Sequence, residues 1–104
     1  MSPAFDAKRL EAEAFGASWE EPMRVVVGFS ADQAPYVKER EWHSSQRLKD
    51  LPDGRVELTF TAGGEFEIIR WIFGWGDVAE VVRPRRVRER VQSALRHALS
   101  RYGE

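Results

Sequence analysis

His43 and Ser45 stand two positions apart in the stretch REWHSSQ, residues 40–46, and they are the pair in this sequence nearest to nucleophilic chemistry. Extended backbone there places both on one side and Ser44 on the other, so the imidazole can reach the hydroxyl. A catalytic serine needs more: a third group to orient the base, and donors placed for the oxyanion. Neither can be identified, and the sequence has no Gly-x-Ser-x-Gly elbow. The structural reading is that Trp42 plugs the edge of a sheet, while His43, Ser45 and Gln46 satisfy backbone groups where a helix turns into a strand. A metal site has less support still, because His43 and His97 are the only histidines, they lie far apart, and cysteine is absent. The expectation is a non-enzymatic protein with no catalytic residue, metal or cofactor.

A second concentration of chemistry is RPRRVRER, residues 83–90, followed by Arg96, His97 and Arg101. Helical spacing gathers Val87, Val91, Ala94, Leu95, Ala98, Leu99 and Tyr102 on one face and spreads Arg85, Arg86, Arg90, Arg96, His97 and Arg101 over the other. Such a face is ordinarily solvated charge. Yet Arg85, Arg86 and Arg88 fall in the first turn, where the helix dipole is positive and each cation costs of order 0.3 to 1 kcal/mol. Guanidinium groups beside free backbone N–H donors suit phosphate or carboxylate. Arg83, Arg85, Arg86, Arg88 and Arg90 are therefore candidate nucleic-acid or anion contacts, with pairing to the chain's own Glu-rich segments as the alternative.

The third place is FEIIRWIFGW, residues 66–75. Phe66, Ile69 and Phe73 form one stripe at helical spacing and are expected to face the core. Ile68, Trp71 and Ile72 lie on other sides, so the helix must be covered twice. Either a neighbouring helix covers it, or Trp71, Trp75 and Ile68 form an interface with another domain or subunit.

The elements that must position these residues follow from local signals. Residues 5–15 read as a short helix ended by Gly16. MRVVVGF, from Met23, is a β-branched strand. A helix follows, with Ser30 and Gln33 as one capping box and Asp32 as the favoured cap, since it puts Pro35 in the first turn with Tyr36 and Val37 inward. Two alternating arms flank PDG, where Pro52 pre-sets the turn and Gly54 takes positive φ, giving a hairpin. Gly63 and Gly64 end the second arm. A helix opens with Glu65 and Glu67 at its positive end and stops at Gly74 or Gly76. DVAEVV supplies a fourth strand, and Pro84 starts a last helix running to about Tyr102. GFSA at residues 28–31 and TFTA at 59–62 both close a strand and open a helix, as pseudo-repeats would. The order predicts an α+β fold: a ferredoxin-like βαββαβ sandwich with an added C-terminal helix and a short N-terminal helix. Residues 1–21 form the N-terminal helix and connector, and residues 22–104 the domain.

Composition bounds the rest. A chain of 104 residues and 12.0 kDa is one domain, and 42% hydrophobic residues with four Trp suffice for a core despite 32% charge. Zero cysteines fit a reducing compartment, no apolar run reaches a membrane span, and no signal pattern opens the chain, so a cytoplasmic protein is expected. A net charge of −1 means that attraction to nucleic acid must come from a local patch.

Several of these features together resemble the C-terminal extension (WCX) domain of bacterial WYL-domain transcriptional regulators. They are the strand ending in Phe29 and Ser30, APYVKER, WHSSQ, the PDG hairpin, IIRWIFGWG, and a strand, proline and Arg-rich helix at the end. The similarity runs over residues 22–102, and residues 5–16 look like the segment that joins such a domain to its WYL neighbour. The resemblance implies transcription regulation. Proteins of that kind carry a winged helix-turn-helix, a WYL domain that senses a ligand, in some cases nucleic acid, and this extension, associated with dimerisation and with control of DNA binding. The implied partners are a second copy, or WYL and helix-turn-helix domains, and a nucleotide or nucleic-acid effector. No Trp-Tyr-Leu tripeptide occurs here, so no WYL ligand residue carries over.

Overall fold

The computed structural model describes residues 21–103. Four strands, β1 (Met23–Phe29), β2 (Arg47–Asp50), β3 (Val56–Ala62) and β4 (Ala79–Arg83), form one antiparallel sheet in the order β2-β3-β1-β4. Helix α1 (Ala34–Lys38) joins β1 to β2. Helix α2 (Glu65–Phe73) and a 3-10 turn (Gly76–Val78) join β3 to β4, and α3 (Arg85–Ser100) follows. The chain is thus α+β, as expected. The helix expected over residues 5–15 lies outside the described residues.

β1 is central because its β-branched run can be buried between two partners. Its Val25, Val27 and Phe29, with Val56, Leu58 and Phe60 of β3, make the inward face, each at 1% exposure or less. All three helices pack on that face: Ala34 and Val37 from α1, Ile68, Ile69 and Ile72 from α2, and Val87 and Val91 from α3 join one core cluster. Among the described residues, no helix covers the opposite face, which carries Arg24, Val26, Gly28, Glu57, Thr59 and Thr61. A bulge between Val26 and Val27 shifts the register, so that Val27 faces Val81 and Val26 faces Arg83.

The hairpin forms at PDG. Leu51 N–H donates to Arg55 O at 2.9 Å, Gly54 N–H donates to Leu51 O at 3.0 Å, and Gly54 sits at φ +94°. The backbone N–H of Arg55 and its guanidinium both donate to Asp53, holding that carboxyl below its usual range.

Local expectations fail at four points. Gln33, not Asp32, occupies the cap position of α1, because Asp32 instead accepts a hydrogen bond from Ser30 Oγ. Val37 points inward, but Tyr36 is 42% exposed. On α2 the buried stripe is Glu65, Ile68, Ile69 and Ile72, while Phe66 and Phe73 are exposed. Pro84 caps α3 rather than opening it, and the helix ends at Ser100.

The length of α3 also matters. A helix of 16 residues spans about 24 Å, against about 17 Å for a strand of five residues such as β4. Only Val87 and Val91 of its apolar face are buried; Leu95 and Leu99 are about half exposed and Tyr102 is 84% exposed. The second half of the helix overhangs the core.

Candidate functional site

The joint at residues 40–46 is built from reciprocal bonds. Gln46 Oε1 accepts from the backbone N–H groups of Trp42 and His43, and Gln46 Nε2 donates to Arg40 O at 3.0 Å. Trp42 Nε1 donates to Val37 O at 3.1 Å, tying the joint to α1. His43 is 8% exposed, and its Nδ1 accepts from Ser45 N–H at 3.1 Å, which places the neutral ring's proton on Nε2. Ser45 Oγ lies 2.8 Å from the same nitrogen and accepts from Thr61 N–H of β3 at 2.9 Å. A nucleophile must present its oxygen to a substrate; this one is bound to the edge of the sheet. The serine and histidine foreseen as a pair do meet, and the contact fastens the joint to β3.

Around Trp42 the aromatic side chains converge. Its ring centroid lies 5.9 Å from Trp71 and 5.3 Å from Trp75, Trp75 lies 4.8 Å from Phe29, and Trp71 lies 5.9 Å from Phe60. Tyr36 closes the cluster at its solvent side, with the Arg40 guanidinium 4.6 Å from its ring centre. Trp71 and Trp75, expected as interface anchors, are therefore partly buried against their own core. Ile68 needs correction outright: at 0% exposure it is a core residue and offers nothing to a partner. The reason is helix phase. Gly64, in the left-handed region at φ +83°, starts α2 so that Glu65 turns inward, and the isoleucines follow it. Phe66 and Phe73 then fall outside, with the Arg70 guanidinium 5.6 Å from the Phe66 ring centre.

Glu65 explains the arginines. Its Oε1 accepts from Arg86 Nε at 2.9 Å and its Oε2 from Arg90 Nη1 at 2.7 Å, and its side chain is only 12% exposed. Arg88 Nη1 donates to Glu80 Oε2 at 3.0 Å and to Val81 O at 2.9 Å. Arg85 pairs with Glu89 one turn on, at 3.1 Å. Four of the five arginines expected to grip an external anion are thus committed to the chain's own carboxylates, and these pairs offset the dipole cost of placing cations in the first turn. Arg83, on β4, is exposed and makes no ion pair among the described residues.

Arg88 does a second job. Ser30 N–H donates to Val78 O, which sets the alternation along β1 and β4 and turns the Val81 carbonyl outward, away from β1. The guanidinium caps that carbonyl on the outer edge of the sheet. Beside it lies a small cleft of about 210 Å³ lined by Ala79, Val81, Val91 and Leu95 among others. No helix among the described residues is long and apolar enough to cross a membrane.

Residues 21–99 match the WCX domain family, a span running from just before β1 to the last turn of α3. The chain is also similar to Protein PafC of Mycobacterium tuberculosis, strains CDC 1551 / Oshkosh and ATCC 25618 / H37Rv. In each, 32% of residues are identical over 62 positions, covering 60% of this chain and 20% of the relative. The chain spans about a fifth of the length of these curated relatives.

Proposed function

The chain belongs to the WCX domain family, and from that premise we propose that it is a non-enzymatic regulatory module of a WYL-type transcriptional regulator, acting by self-association and helping to control DNA binding in response to a ligand. The observation that carries this reading is the family match over residues 21–99, which takes in every described strand and helix. The strand order β2-β3-β1-β4, with α1 and α2 as crossovers on one face, supports a ferredoxin-like sandwich as its frame. The contact surface is the overhanging half of α3: Leu95, Leu99 and Tyr102 are exposed on one stripe next to the cleft at β4. A cytoplasmic location accords with a regulator of this kind.

Light scattering over a roughly hundredfold range of concentration tests the reading. The mass rises from 12.0 kDa towards twice that value, and the double substitution Leu95→Asp, Leu99→Asp holds it at the monomer. A monomer at every concentration shifts the surface's partner to another domain of the regulator. Sensing of a nucleotide or nucleic-acid effector is the second reading, favoured by the exposed Arg24, Arg47 and Arg83 on the sheet face that no described helix covers. It predicts a rise in melting temperature on adding the effector, by mass action.

A further inference from the structure

We propose that the cleft beside β4 is completed by a second copy of this chain, whose Tyr102 enters it as two α3 helices pair antiparallel along Leu95 and Leu99. The proposal deepens the self-association reading above and rests on it. Leu95 belongs both to the cleft and to the exposed stripe that continues through Leu99 and Tyr102. Tyr102 is 84% exposed, yet it still follows the helical spiral, since its N–H donates to Leu99 O at 2.9 Å. An aromatic side chain buries roughly 150–250 Å² when it finds a pocket. The cleft of its own chain is out of reach: Gln92, in the cleft lining, lies about 15 Å back along the helix axis.

The distribution of charge on α3 selects a second copy as the occupant. A two-fold contact sets one surface against itself, so an unpaired charge in it meets its own like. Helical spacing puts Val91, Gln92, Leu95, Leu99 and Tyr102 on one flank, and leaves Arg86, Arg90, Arg96, His97 and Arg101 on other sides of the helix. Arg88 does fall in that flank, but Glu80 pairs with it at 3.0 Å. Among the described residues the flank is thus neutral on a helix that is otherwise cationic. An acidic or basic partner gains nothing there, whereas an identical surface meets no repulsion. Length then fixes the register. Val91 is the last residue of α3 in the core, so only the overhanging halves can overlap, and antiparallel pairing keeps the two bodies at opposite ends. Placing Leu95 against the partner's Leu99 brings Tyr102 opposite the partner's Gln92, because both pairs share one midpoint. Each copy fills the other's cleft, and the Tyr102 hydroxyl meets the Gln92 amide, which both donates and accepts. Leu95, Leu99 and Tyr102 make a contact smaller than the roughly 800 Å² a side of a stable complex, so the pair forms and parts with concentration.

The absence of cysteine from the sequence makes cross-linking a direct test. Full chains carrying Leu95→Cys are mixed with full chains carrying Leu99→Cys and oxidised at the highest concentration of the light-scattering series. For helices packed about 8–10 Å apart, facing Cα atoms come within the roughly 4.4–6.8 Å that a disulfide requires. Two copies of Leu95→Cys, or two of Leu99→Cys, are offset by about 6 Å along the axis and link poorly. The mixed disulfide therefore predominates. Tyr102→Ala, at an exposed position, leaves circular dichroism unchanged and weakens association about tenfold or more. Raising the salt from about 0.05 to about 0.5 M does not weaken it, because the flank is neutral. Like-with-like disulfides as abundant as the mixed one, association untouched by Tyr102→Ala, or association lost with salt would overturn the antiparallel pairing and leave self-association standing. A wild-type chain that is monomeric at every concentration and forms no mixed disulfide overturns both.

Discussion

A serine hydroxyl 2.8 Å from an imidazole nitrogen is the geometry a hydrolase needs, and here the same hydroxyl fastens the joint to β3. Ser45 Oγ is the acceptor for Thr61 N–H, so it links residues 16 positions apart across the edge of β3. Ser45→Ala leaves that N–H without its partner, while His43 Nδ1 keeps the backbone N–H of residue 45. The expected loss is about 1 kcal/mol, read as a fall of about 4–8 °C in melting temperature for a domain of this size. Sequence made the adjacency legible, since alternation alone puts His43 and Ser45 on one side. It could not show which strand the hydroxyl would meet, because Thr61 reaches the joint only through the pairing of β2 with β3.

Elements were legible where a single residue decides them. Gly54 makes the hairpin turn, the glycines after Ala62 stop β3, and Pro84 marks the boundary between β4 and α3. The phase of α2 was not legible, because it depends on Glu65 meeting Arg86 and Arg90, which lie 21 and 25 residues later. Glu65 is the tie between the start of α2 and the first turns of α3. Glu65→Ala abandons two guanidinium groups that are themselves more than half exposed, so the loss falls below that of a fully buried pair, at about 1–3 kcal/mol. Urea unfolding measures it, and the slope of free energy against denaturant stays unchanged because the core is the same. Arg88 carries the same lesson for β4: its bond to the Val81 carbonyl blocks an edge that would otherwise template strand addition. The opposite edge, β2, is only four residues long and carries Lys49 and Asp50.

At the scale of the whole molecule, stability and contact divide along α3. Val87 and Val91 belong to the core, whereas Leu95, Leu99 and Tyr102 do not. A stop after Ser93 therefore leaves the core intact. The shortened chain is expected to melt within about 5 °C of the full one, since it loses only exposed and half-buried residues, while its light-scattering mass stays monomeric at every concentration. The central position of β1 has another consequence, in the timing of folding. Val27 must find both Leu58 and Val81, so the most apolar strand leaves the ribosome first and its last neighbour much later. During that wait a run of valines stays open to other nascent chains. How fast the polypeptide is made, and how crowded its surroundings are, then bear on the yield of folded protein as much as the strength of the finished core does.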